Sequence, residues 1–217
     1  DWAIELFNWF EYWLKGIGDE TESYVQMQTH DGRWHLEETW PPSDLEWNLQ
    51  ELSQWDGLGG GLVSSTNSFS LVSPVFGEEI HLSGLPTLHL DVTTRGCNGG
   101  QIFATLWDET IGLRLGHAVM DLRYRDGGYD AKPVSPAPFA GGSYTMLMEF
   151  NPLDVVLPAG HRLSIEFTDT GEDYLPSTCA AVGLNVQDGT FGMPLIDRPV
   201  THENWFEVAH YDLGVEA

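Results

Sequence analysis

The stretch Ser143 to Thr170, SYTMLMEFNPLDVVLPAGHRLSIEFTDT, constrains the fold of this chain more than any other. Tyr144, Met146, Met148 and Phe150 recur at period two, and so do Leu163, Ile165 and Phe167, which is the spacing of strands with one apolar face. A break at Asn151-Pro152 and the turn signal Pro158-Ala159-Gly160 separate the two runs. They read as two half-buried strands joined across an irregular corner. Thr145 and Glu149 interleave the first, and Arg162, Ser164, Glu166 and Thr168 interleave the second, so each has a largely wet face. A sheet with one apolar face must stack on another, and the expected architecture is a β-sandwich.

The rest of the chain supplies more strands of the same kind. Leu88, Leu90 and Val92 alternate with His89 and Asp91, Ile102, Ala104 and Leu106 with Phe103, Thr105 and Trp107, and Ala118, Met120, Leu122 and Tyr124 with Val119, Asp121, Arg123 and Arg125. Shorter strands are expected at Tyr24 to Gln28, near Leu45 to Leu49, at Ser68 to Ser73, at Ala180 to Val186 and at Trp205 to His210. Gly127 to Gly142, rich in Gly and Pro, reads as a surface loop. About eight or more strands in two sheets make the expected class all-β, a jelly-roll β-sandwich.

Asp1 to Ile17 differs from everything after it. Trp2, Leu6, Trp9 and Trp13 form a stripe at helical spacing, with Ala3, Phe7, Phe10, Leu14 and Ile17 beside it, and Gly16 or Gly18 closes the helix. One sandwich cannot cover both stripes. Trp2, Leu6, Trp9, Phe10 and Trp13 are therefore the candidate packing surface for a partner outside the chain or for a second copy of it.

Charge narrows the partners. The 33 acidic residues against 9 basic ones give a formal charge of −24, a surface that repels nucleic acid and anionic membranes. Glu5 and Glu11 on the helix argue against a lipid-surface role. Only Lys15 and Lys132 are lysines. The expectation is adaptation to molar salt, where the Debye length falls to about 3 Å and self-repulsion is screened. The start at Asp1, without methionine, fits a processed or excised piece. Composition does not decide the compartment, and Cys97 and Cys179 are too few for a disulfide framework or a four-cysteine zinc site.

No catalytic motif stands out. A nucleophile elbow needs Gly-x-Ser-x-Gly, and the nearest approach, Gly141-Gly142-Ser143-Tyr144-Thr145, opens a strand and has Thr145 in place of the second glycine. His202-Glu203 lacks the second histidine of a zinc-protease helix, and His117 and His161, heading strands, read as hydrogen-bonding edge residues. Acidic pairs such as Asp108-Glu109 and Glu172-Asp173 are ordinary in so acidic a chain. No catalytic, cofactor-binding or metal-ligating residue is assigned.

Certain residues, in their order, carry a resemblance. Phe10-Glu11-Tyr12-Trp13-Leu14-Lys15-Gly16 resembles the ending of the last catalytic-domain helix in the Xaa-Pro dipeptidyl-peptidase and cocaine-esterase family of serine hydrolases. Val25-Gln26-Met27, Gly32-Arg33-Trp34 and Trp40-Pro41 follow in that family's order. Gly84-Leu85-Pro86, Leu122-Arg123-Tyr124-Arg125 and Pro158-Ala159-Gly160-His161-Arg162-Leu163 resemble landmarks of its C-terminal jelly roll. The resemblance spans about residues 4 to 170. His35 stands where the family usually has arginine, and Thr178 to Val200 matches poorly, which leaves dipeptidyl-peptidase, ester hydrolase and acylase open. The resemblance implies an upstream α/β-hydrolase domain supplying Ser, Asp and His, none of which matches a position here.

On this reading residues 1–18 are the terminal helix of a missing hydrolase domain, 19–79 a connecting segment with short strands, and 80–217 the jelly-roll core. The sandwich would buttress the catalytic domain, shape substrate access or join subunits, and be catalytically silent. The alternative is a carbohydrate-binding module using Trp47, Trp55 and Trp107, since exposed rings on jelly rolls stack on sugars. An independent enzyme with a dispersed site is a third reading.

Overall fold

A computed structural model of the chain describes residues 2–18, 25–64, 66–96, 100–124, 140–169, 171, 174 and 182–197. Helix α1 (Trp2–Phe10) continues as one π-helical turn over Glu11–Lys15. Gly16, at φ 66°, closes it, because the left-handed conformation lets its N–H reach Tyr12 C=O (2.9 Å) and the Ile17 N–H reach Glu11 C=O (3.1 Å).

Thirteen strands follow among the described residues. They are β1 (Val25–Gln28), β2 (Trp34–Glu37), β3 (Glu46–Glu51), β4 (Gly59–Val63), β5 (Phe69–Val72), β6 (Ile80–Gly84), β7 (Thr87–Gly96), β8 (Gln101–Asp108), β9 (Leu113–Asp121), β10 (Ala140–Glu149), β11 (Leu153–Leu157), β12 (Leu163–Thr168) and β13 (Val182–Leu195). β1 and β2 form a separate antiparallel hairpin, tied to the sandwich by the His30 N–H on Asp154 C=O. The larger sheet has seven strands, β10-β7-β13-β6-β11, with β3 and β4 paired along β13; the smaller is β5-β12-β8-β9. All these pairings are antiparallel. The result is the expected all-β sandwich behind one short N-terminal helix.

The period-two runs face the core as read. Met146, Met148, Phe150, Leu163, Ile165 and Phe167 are all buried, with Leu88, Leu90 and Val92 from β7 and Ile102, Ala104 and Leu106 from β8. Burying each such side chain contributes roughly 1.5–3 kcal/mol, so the facing rows are what hold the sheets together. Phe167 stacks on Phe69 with centroids 4.9 Å apart, and Phe191 packs edge-on against both Trp55 and Phe150.

Three segments differ from expectation. Leu153–Leu157 is a strand rather than a corner, and it lacks alternation because all five residues are buried. β13 runs fourteen residues, well past Val186; a register shift between Val186 and Asp188 interrupts its period and hides its second half. In the connecting segment β3 and β5 fall where short strands were expected and only β4 was not foreseen; β3 and β4 join the larger sheet and β5 the smaller. The strand expected at Trp205 to His210, the 127–139 part of the Gly/Pro-rich loop, Cys97 and Cys179 lie outside the described residues.

Candidate functional site

The helix comes first because its apolar side chains are left uncovered. Trp2 heads α1, and beyond it Leu6, Trp9 and Phe10 are exposed, as is Trp13 on the π-turn at 56%. Ile4, Phe7, Leu14 and Ile17 are exposed as well, Leu14 at 72%. The rings pack on one another instead. Trp9 and Phe10 meet edge-on at 5.2 Å, Tyr12 and Trp13 at 5.1 Å, and Trp9 and Trp13 lie tilted at 6.4 Å. Lys15 pairs with Glu11 one turn back. So many uncovered rings on one short element form an apolar surface of the kind that binds a partner.

The sandwich carries three polar clusters. At one edge His161 donates through Nδ1 to Asp108 Oδ2 (2.6 Å), whose other oxygen accepts from the Thr110 N–H (3.1 Å), while Glu109 Oε2 accepts from Ser164 Oγ (2.7 Å). These bonds fasten the β8–β9 turn to β12. No hydroxyl or thiol hydrogen-bonds His161 among the described residues, so the pair lacks a nucleophile. His81 Nε2 and Asp154 Oδ1 lie 2.8 Å apart across β6 and β11, both buried and beyond the reach of a substrate.

The third cluster surrounds His117. The Arg114 guanidinium is always protonated, so its donation to His117 Nδ1 (3.2 Å) leaves the proton on Nε2, which donates to the Tyr174 hydroxyl (3.0 Å). Asn151 Oδ1 accepts the His117 backbone N–H at 2.7 Å. Tyr174 also packs edge-on to Phe103, so this cluster pins residue 174 across β8 and β9. His117 and His161 are thus hydrogen-bonding residues, although only His161 leads into a strand; His117 sits midway along the edge strand β9 rather than at its head. Ser143 lies inside β10 and donates to Gln187 Oε1 (3.3 Å), with no elbow turn around it.

Asp108 and Glu109 are each committed to a different side chain, and no group of three metal-ligating residues occurs among the described residues. Of the sugar-platform candidates, Trp55 is a core residue at 4% exposure and Trp107 is half-buried. Trp47 remains exposed, as does Leu49 two residues further along β3.

Among the described residues, two acids depart from ordinary titration. Partial burial pushes Asp31 upward, but the Arg33 guanidinium and the Thr29 hydroxyl bound to its carboxylate outweigh this and hold its pKa at about 2. Burial raises the pKa of Asp169, outweighing its own backbone N–H, and its Oδ1 is buried with no hydrogen-bond partner among the described residues.

Taken together, the described residues define an all-β sandwich domain with an uncovered aromatic helix and no assembled triad. Residues 51–191 match the family described as the X-Pro dipeptidyl-peptidase C-terminal non-catalytic domain. The chain belongs to that family. The match extends to Phe191, into the segment whose motifs fit poorly by inspection.

A Bacillus anthracis protein named as an Xaa-Pro dipeptidyl-peptidase is 25% identical over 232 aligned residues, which cover 90% of this chain and 37% of that protein. Among solved structures, a CocE/NonD family hydrolase from Staphylococcus aureus superposes with a TM-score of 0.65 at 13% identity, over 90% of this chain and 45% of that one. An aminopeptidase from a marine sediment Thaumarchaeota archaeon gives 0.63 at 13%, over 88% and 43%. An α-amino acid ester hydrolase gives 0.55 at 11%, over 88% and 44%. At such identities the likeness is one of fold. The chain spans less than half the length of each of these proteins.

Proposed function

We propose that this chain is the non-catalytic C-terminal part of a serine hydrolase related to Xaa-Pro dipeptidyl-peptidases, and that it docks on an α/β-hydrolase domain through Trp2, Leu6, Trp9, Phe10 and Trp13. The observation that carries the proposal is the uncovered aromatic helix at the head of a family member that spans 37% of its curated relative. In this division residues 1–18 belong to the hydrolase body and the sandwich walls the substrate cleft or joins subunits. Acyl transfer would run through a serine of the other domain, activated by histidine and served by an oxyanion hole. Buried rings dominate such interfaces, so truncating two of them uncouples the halves.

The test is the full-length parent carrying Trp9→Ser and Trp13→Ser together, studied in molar KCl. Both side chains are exposed here, so the sandwich itself should fold normally. The expected result is a split of one calorimetric unfolding transition into two, with a fall in kcat/KM of roughly tenfold or more. A single unchanged transition with full activity would overturn the proposal.

A further inference from the structure

One end of the smaller sheet holds two buried oxygens that no hydrogen bond serves. Asp169, only 5% exposed, follows β12 directly, and its Oδ1 is without a partner among the described residues. Oε1 of Gln101, the first residue of β8, is buried in the same condition. The register brings the two residues close. Thr168 pairs with Phe103, so the next residue, Asp169, comes level with Ile102, one place from Gln101. Phe103 is buried but lies outside the core between the sheets, and Gln101, two residues back, shares its outer face. A Cβ at Gly171 would come within 2.6 Å of the Phe103 ring, and Tyr174 packs on the same ring, so the chain leaving Asp169 folds over that face. Gln101 pairs directly with Asp121 of β9, which puts a second carboxylate on the same face.

A carboxylate oxygen and an amide oxygen can only accept, so a donor or a positive charge belongs between them. A bridging water would satisfy both and leave the buried charge uncompensated. A shared proton would neutralise Asp169 and leave the carboxylate of Asp121 out of the arrangement. A hard cation uses all three, because carboxylate and amide oxygens are the donor set of calcium and no nitrogen or sulfur is offered to a transition metal. With 9 basic residues to 33 acidic ones, the chain has few side chains that could supply the counter-charge instead. We infer that Asp169, Gln101 and Asp121 hold a calcium ion, which staples the chain after β12 to the outer face of β8 and β9. Its third ligand is an amide oxygen, whereas the metal-ligating groups absent above were acids, imidazoles or thiols. Water or backbone carbonyls complete the coordination.

Equilibrium dialysis of the full-length parent against radioactive calcium in molar KCl tests this, alongside melting temperatures in CaCl2, MgCl2 and EDTA. Saturating calcium should raise the melting temperature over EDTA by about 5 °C or more. Magnesium should do far less, since it gives up its water shell reluctantly. Asp169→Asn should bind about one ion fewer per chain and lose the calcium shift, and Gln101→Leu should weaken calcium binding by about tenfold or more. In EDTA the Asp169→Asn protein should melt no lower than the unsubstituted parent, which separates loss of the ion from failure to fold. An unchanged ion count in Asp169→Asn, with a shift that magnesium reproduces, would mean general screening of the acidic surface and overturn the inference. A melting temperature that responds to pH but not to calcium would assign a proton to the gap between Asp169 and Gln101 and overturn it too. Both results would leave the proposed function standing.

Discussion

Two aspartates carry opposite pH signatures. Asp31 has a folded pKa of about 2, below its unfolded value, so the stability it contributes is present above about pH 4 and is lost as pH falls towards 2. Amide signals of β1 and β2 should lose exchange protection in that window, and Asp31→Asn should abolish the dependence. Asp169 is raised by burial, so its contribution is best below the unfolded pKa and declines as pH rises through the folded one. Asp169→Asn should leave the melting temperature at pH 7 unchanged or higher, whereas a marked fall would show that the carboxylate has a partner. Neither behaviour was legible in the sequence, because Asp31 is set by Thr29 and Arg33 closing a turn around it and Asp169 by burial. Glycines are similarly silent until placed. A Cβ at Gly57, whose φ is 93°, would meet Ser70 C=O at 2.2 Å, while one at Gly61 meets nothing within 4 Å. Gly57→Ala should destabilise by about 2 kcal/mol or more and Gly61→Ala by about 0.5 or less, read from chemical denaturation.

Among the elements, legibility followed solvent contact. β7 and β10 each have one wet face, whereas on β8 and β12 the interleaved residues are half-buried or, at Phe103 and Ser164, buried, so the face of β12 expected to be wet is covered. The alternation of large apolar residues still let the core rows of all four be named in advance. β11 is buried throughout and β13 changes register midway, so neither displays a clean period. The helix was legible as a helix with too much apolar surface, but its last turn widening to a π-turn at Glu11–Lys15 was not. Its aromatic stripe could be named in advance because tryptophans at helical spacing stand out against an all-β chain. Trp47 was weighed only as a sugar platform, because Gly192, against which its ring lies, is 145 positions on in the sequence and the contact appears only once β3 pairs β13. Phe167, buried and stacked on Phe69, should cost about 3–5 kcal/mol when truncated to alanine, measured by denaturant titration.

At the scale of the molecule, 33 acids outnumber 9 bases, so the chain carries strong net self-repulsion at low salt. Raising KCl from low to molar concentration should lift the melting temperature steeply through screening, and a melting temperature independent of salt would contradict the halophilic reading. The central claim is that chemistry belongs to another domain and docking belongs to this one. Its most direct test is activity-based labelling with a fluorophosphonate probe, alongside turnover of a glycyl-prolyl chromogenic substrate, on this chain shown to be folded in molar salt and on the full-length parent. The account predicts labelling and turnover in the parent and neither in the chain alone. Covalent labelling of the isolated chain with turnover would place an activated serine within these 217 residues and contradict it.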